Sequence, residues 1–176
     1  MIRGVSERVK WNIDMKIIGI DPSTTCSGYA LLDDGELVDH GVVDLKRNKN
    51  SIDRTEQMIF ELGNYIENNK PQFVYIEEPN GNNMKIARMI SNVIGGIMYA
   101  CYTSDAQFRK VTASEWRKAI GVPLVKDGIH LQRAQLKPED IAWVKSRYGF
   151  DCGDDEADAI GIANAAYLRQ SEVLFE

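Results

Sequence analysis

Short apolar runs and helically spaced apolar positions follow one another along most of this chain. Lys16-Ile17-Ile18-Gly19-Ile20 is a compact apolar run ending at Asp21-Pro22, the pattern of a buried strand. A Ser/Thr-rich turn is predicted over Pro22 to Gly28, then a second strand over Tyr29 to Leu32. Asp33-Asp34-Gly35 is a hairpin signal, and Glu36 to Leu45 reads as a third strand. Three strands joined by short turns predict an antiparallel meander. Met58, Ile59, Leu62, Tyr65 and Ile66 then recur at helical spacing, giving an amphipathic helix that ends near Asn69. Phe73-Val74-Tyr75-Ile76 is a strand entered through that helix, and so predicted parallel to the first.

The second half is richer in helix. Met84 to Cys101 carries Ile86, Ile90, Val93, Ile94, Ile97 and Met98 on more than one face, with Gly95-Gly96 in its middle. Glycine is poor inside a helix, so either packing within the chain or close approach of another backbone is expected there. Gln107 to Val111 reads as a fifth strand. Thr112-Ala-Ser-Glu115 matches a capping box before a helix closed by Gly121. Pro138-Glu139-Asp140 reads as the first turn of another helix ending at Gly149, and a last helix runs from about Asp154 to Gln170. The order β-β-β-α-β-α-β-α-α-α predicts an α/β fold, a five-stranded mixed sheet flanked by helices.

The 176 residues suit one domain with a sizeable core. We assign 15–176 to it and read 1–14 as a leader or extension, since Met1 to Asp14 lack the apolar stretch of a signal peptide. No apolar run reaches the roughly 18 residues of a membrane span, so no membrane partner is expected. Three widely spaced cysteines and two histidines argue against a disulfide framework or a zinc site, and fit a reducing, cytoplasmic setting.

Carboxylates fall where core elements end. Asp21 follows the first strand, Glu77 and Glu78 follow the fourth, and Asp154, Asp155, Glu156 and Asp158 open the last helix. If the first and fourth strands are parallel neighbours, Asp21 and Glu77 emerge side by side. Asp155 and Asp158, three apart, share a helix face, and Glu156 should point elsewhere. Glu78 should face away from Glu77 because side chains alternate along a strand. Asp154 reads as a helix N-cap. Buried carboxylates are costly unless paired or metal-bound, and a cluster without His or Cys selects a hard cation, Mg²⁺ or Mn²⁺.

Taken together, Ile18-Gly-Ile-Asp21-Pro-Ser-Thr-Thr-Cys-Ser-Gly28-Tyr29, Tyr75-Ile-Glu77 and Asp155-Glu-Ala-Asp158-Ala-Ile-Gly-Ile-Ala163 resemble the three motifs of the RuvC Holliday-junction resolvases, in order and spacing. These belong to the RNase H-like superfamily, and the likeness spans Met15 to Arg169. It implies an RNase H-like fold with its first three strands antiparallel, a homodimer, and metal-dependent endonuclease cleavage of Holliday junctions and other branched DNA. It also implies that the catalytic, metal-holding carboxylates are Asp21, Glu77, Asp155 and Asp158. Two Mg²⁺ ions about 4 Å apart, with Mn²⁺ able to substitute, would serve hydrolysis. No small-molecule substrate is implied. The setting would be the cytoplasm of a bacterium or of a phage-infected host.

A net charge of −5 opposes DNA binding only if it is evenly spread. Between Asp105 and Phe150 nine Lys and Arg face five Asp and Glu, leaving +4 there and −9 elsewhere. Phosphate recognition needs local positive charge rather than a basic total. Lys46, Arg47, Lys85, Arg88, Arg117 and Lys118 are the expected DNA-binding positions. One departure from the family stands out: the run Glu77-Glu-Pro-Asn-Gly-Asn-Asn83 carries no aromatic residue to stack at a junction. Two alternatives remain open, another RNase H-like nuclease acting on RNA–DNA hybrids or RNA, and an actin-like ATP-binding protein, since Gly19-Ile-Asp21-Pro-Ser-Thr-Thr resembles a phosphate loop.

Overall fold

A computed structural model describes residues 15–79, 84–126 and 128–173. The predicted leader and the predicted non-aromatic stretch 80–83 lie outside them. Strands β1 (Lys16–Asp21), β2 (Cys26–Asp33) and β3 (Glu36–Asp44) form the antiparallel meander. Helix α1 (Ser51–Asn69) leads into β4 (Phe73–Glu77), and helix α2 (Met84–Thr103) into β5 (Gln107–Val111). The sheet order is β3-β2-β1-β4-β5, with β4 parallel to both β1 and β5. Helix α3 (Ala113–Ile120), a two-stranded hairpin of β6 (Val125–Lys126) and β7 (Ile129–His130), helix α4 (Arg133–Tyr148) and helix α5 (Asp154–Val173) complete the described chain.

The period-two pattern of the strands decides what covers each face of the sheet. Ile18, Ile20, Leu31, Val74 and Ile76 pack against Met58, Leu62 and Ile66 of α1 and Val93, Ile94 and Ile97 of α2. The opposite face sends Ile17 and Tyr75 to Trp116 of α3 and Ile162 of α5, and Ala30 and Leu32 to α5 and Val144 of α4. Asp21 and Glu77, in phase with Ile17 and Tyr75, therefore belong to the α5 side.

Helix α5 lies unusually close to the sheet. A Cβ on Gly19 would stand 2.5 Å from the backbone of Ala159 and Ala163, and one on Gly28 would stand 1.8 Å from the carbonyl oxygen of Asp155. Glycine on the strands and alanine on the helix permit that approach. The β2–β3 turn places Asp34 and Gly35 both at positive φ, which suits the right-handed twist of a hairpin.

Three expectations are corrected. The Pro22–Gly28 turn is shorter, because Cys26 to Gly28 already pair with β3 and Gly28 pairs with Asp21. Helix α4 starts at Arg133, not Pro138; the proline lies inside it, and a capping box between Gln132 and Gln135 begins the helix instead. Asp154 is not a cap but a first-turn residue of α5, ion-paired with Lys137. The Gly95-Gly96 pair divides: Gly96 abuts Ile59 of α1, while Gly95 is exposed with nothing within 4 Å of its would-be Cβ.

Candidate active site

Parallel pairing of β1 and β4, with Ile20 opposite Ile76, makes Asp21 and Glu77 neighbours at the C-terminal ends of adjacent strands. The start of α5 crosses that edge, and its second turn delivers Asp158. One carboxylate oxygen from each of Asp21, Glu77 and Asp158 lies within 4.8 Å of the others. All three residues are buried, at 9, 8 and 2% exposure. Such a set, all oxygen and all anionic, fits a hard divalent cation.

The electrostatics agree with that fit. The Asp158 carboxyl is pushed up to about 9, first by burial, then by the negative charges of Asp21 and Asp140. Arg117 of α3 acts in the opposite direction. Its guanidinium holds Asp140 through Nε at 3.0 Å from both oxygens and through Nη2 at 2.8 Å, and Nη2 also donates to Asp158 at 3.4 Å. Burial works against that positive charge, but the bonds and charge of Asp140, followed by Asp158 and Glu77, outweigh it and raise the Arg117 pKa.

The structure sorts the predicted residues. Asp21, Glu77 and Asp158 converge. Asp155, one turn earlier on α5, does not join their cluster; its charge lies close to the Cys26 thiol and to Lys46. Burial first, then Asp155, pushes that thiol up to about 11. Glu78 is exposed, as alternation predicts, and Glu156 points away to His40 Nδ1 at 2.6 Å. Lys46, Arg47, Lys85, Arg88 and Lys118 are exposed. Arg117 is a correction: it is 5% exposed and bound to two carboxylates, so it is a charge brace rather than a phosphate contact.

Two residues of the site escaped sequence reading. Trp116 donates its indole N–H to Glu77 Oε2 at 2.7 Å, and Asp140 anchors Arg117. The one signal for Trp116 was its place on a capped helix directly after a strand parallel to β4. Asp140 carried none, since it lies 18 residues from Asp158 in sequence.

The family described as crossover junction endodeoxyribonuclease RuvC has a model that matches residues 17–126. The chain belongs to the RuvC family. A RuvC protein of Caldicellulosiruptor saccharolyticus is 25% identical over 171 residues, covering 92% of this chain and 98% of its own. The fold agrees with Thermus thermophilus RuvC, solved in complex with a Holliday junction substrate, at a TM-score of 0.68 and 15% identity over 89% of this chain and 96% of that one. It agrees also with the yeast mitochondrial Holliday junction resolvase, at a TM-score of 0.58 and 16% identity over 92% of this chain and 83% of that one. The RNase H-like fold of RuvC is thus the fold of this chain. The family match ends before α5, so it is the tertiary structure that joins Asp158 to the two carboxylates on the sheet.

Among the described residues no helix is long and apolar enough to cross a membrane.

Proposed function

We propose that this RuvC-family chain is an endodeoxyribonuclease that cleaves Holliday junctions, and other branched DNA, by phosphodiester hydrolysis. The observation that carries the reading is the buried Asp21–Glu77–Asp158 cluster on a RuvC fold. These three residues would hold Mg²⁺, or Mn²⁺ in its place, with Asp155 at the rim as the fourth candidate; two ions per site is the count we favour. Bound there, the cations would activate water and stabilise the leaving oxygen of the phosphodiester. The chain itself contributes a rigid frame. Adjacent strand ends hold Asp21 and Glu77, a helix backbone lying on glycines holds Asp158, and the buried Trp116 donates its indole N–H to Glu77.

Phosphate contacts fall to the exposed Lys46, Arg47, Lys85, Arg88 and Lys118. Lys46 lies beside Cys26 and Asp155. A second copy of the chain is expected to pair across α2, whose exposed side carries Met98, Tyr99 and Tyr102 around Gly95. An isologous dimer places two identical sites about one two-fold axis, matching the symmetry of a four-way junction.

The test is a metal-dependent cleavage assay on a synthetic four-way junction, a fork, a linear duplex and an RNA–DNA hybrid, with Asp21→Asn beside the unaltered protein. We expect cleavage of the branched DNAs with Mg²⁺ or Mn²⁺, and a loss of at least about 100-fold in Asp21→Asn with junction binding kept. Preferred cleavage of the hybrid, or Asp21→Asn that loses binding but keeps cleavage, would overturn the reading.

A further inference from the structure

Helix α3 reaches the carboxylate cluster from outside with two consecutive residues. Trp116 is fully buried among Ile17, Tyr75, Val111 and Ile162, and its ring lies over Gly161, where a Cβ would come within 2.5 Å. That packing alone would account for a core tryptophan. Its N–H does something more specific. An indole N–H only donates, and a buried one needs an acceptor. Trp143 meets that need in the ordinary way, on the backbone carbonyl of Ile120 at 3.0 Å. Trp116 instead meets it on a carboxylate of the candidate site, at 2.7 Å. Glu77 has three side-chain torsions, so a fixed donor on Oε2 removes much of its freedom while leaving Oε1 able to ligate.

Arg117 does the same for Asp158. Its guanidinium lies 4.3 Å from the Trp116 ring centroid and forks onto Asp140, which locks its position and aims Nη2 at Asp158 Oδ1. A guanidinium suits this role because its planar donors can serve two carboxylates at once, which an ammonium on a flexible stem cannot do with fixed geometry. Two ligand candidates, contributed by a strand and a helix far apart in sequence, are thus oriented by neighbours on one short element.

We propose that Trp116 and Arg117 are positioning residues that set the metal affinity of the site, Trp116 by fixing Glu77 and Arg117 by fixing Asp158. The proposal rests on the reading that the cluster holds a divalent cation. Residues that orient metal ligands typically change affinity by 10- to 100-fold when lost.

The test measures Mn²⁺ binding to the full chain by electron paramagnetic resonance of the unbound ion. Trp116→Phe keeps the ring packing and removes the N–H, and should weaken Mn²⁺ binding about tenfold while the metal-free melting temperature stays within a few degrees. Arg117→Lys should weaken it as well. A second measurement needs no variant at position 116. In ¹⁵N-labelled protein, with the Trp11 and Trp143 indole signals assigned by substitution, Mg²⁺ should shift the Trp116 Nε1–H resonance and leave that of Trp143 in place. If Trp116→Phe fails to fold, this measurement decides alone. An unmoved Trp116 resonance, or variants that bind Mn²⁺ as the unaltered chain does, would overturn the positioning role and leave the metal reading intact. No Mn²⁺ binding by the unaltered chain would overturn the metal reading itself.

Discussion

At the scale of single residues, the site is a problem of excess negative charge in little water. Asp21, Glu77, Asp158 and Asp140 are all buried, and Arg117 is the buried cation set among them within the described residues. Asp158 shows the consequence. Its pKa in the folded chain is raised from 3.8 to about 9, so between those values the folded state binds more protons than the unfolded one. The protonated Asp158 therefore supports stability fully below about pH 4, and that support drains away as pH climbs to about 9. We expect the metal-free protein to lose several degrees of melting temperature across this window, with a flatter profile for Asp158→Asn. Calorimetry at a series of pH values with chelator present checks it; parallel profiles would sink it. Saturating Mg²⁺ should restore the high-pH melting temperature, because binding requires the ionised carboxylate.

At the scale of elements, the decisive contact is α5 on the β1–β2 ladder. The helix brings Asp158 to the strand ends only because Gly19 and Gly28 leave room for its backbone. A methyl at Gly28 would overlap the Asp155 carbonyl, a backbone atom that cannot swing aside, so the helix itself must move. Gly28→Ala should cost about 1–3 kcal/mol, the usual range for forced overpacking, and should lower cleavage by displacing the first turn of α5. Gly95→Ala, at an open position of α2, is the contrasting substitution and should leave the metal-dependent cleavage chemistry in place. Urea unfolding and single-turnover cleavage measure both effects. A Gly28→Ala protein of unchanged stability and rate would show that α5 is not seated as described. Helix α4 carries a related lesson: Pro138 marked a helix start in sequence, but the start belongs to Gln132 and Gln135.

At the scale of the whole molecule, one face remains to be covered. Along α2, Met98, Tyr99 and Tyr102 are 47, 70 and 83% exposed, and Gly95 lies flat beside them. The two-fold pairing proposed above would bury them. Sedimentation at micromolar concentration should give a dimer, and Met98→Glu with Tyr102→Glu should give a monomer that still binds metal but nicks single strands of a cruciform rather than cutting two together. A monomeric unaltered chain would remove the dimer from the mechanism. Charge is also arranged at this scale. The net −5 includes the four proposed ligands, and the candidate phosphate contacts lie on different elements: the turn after β3, the start of α2, and α3.

Much of this protein was determined by local sequence. The strand runs, the hairpin at Asp34-Gly35, the capping box at Thr112 and the carboxylates at element ends all follow from interactions within a few residues, and those are the interactions a pattern along the chain records. The three motifs sufficed to indicate the family and to name Asp21, Glu77, Asp155 and Asp158 as one set, of which Asp21, Glu77 and Asp158 converge. What tertiary structure alone decided depends on which side chains meet across long separations. Arg117 looked like any surface cation until Asp140 and Asp158 enclosed it, and Trp116 looked like core until its N–H met Glu77. Asp155 shares a face of α5 with Asp158 but lies near Cys26 and Lys46, because three residues of helical rise, about 4.5 Å, carry it from the strand ends to the rim. Burial and partnership belong to the packed molecule, so no spacing in the chain could specify them.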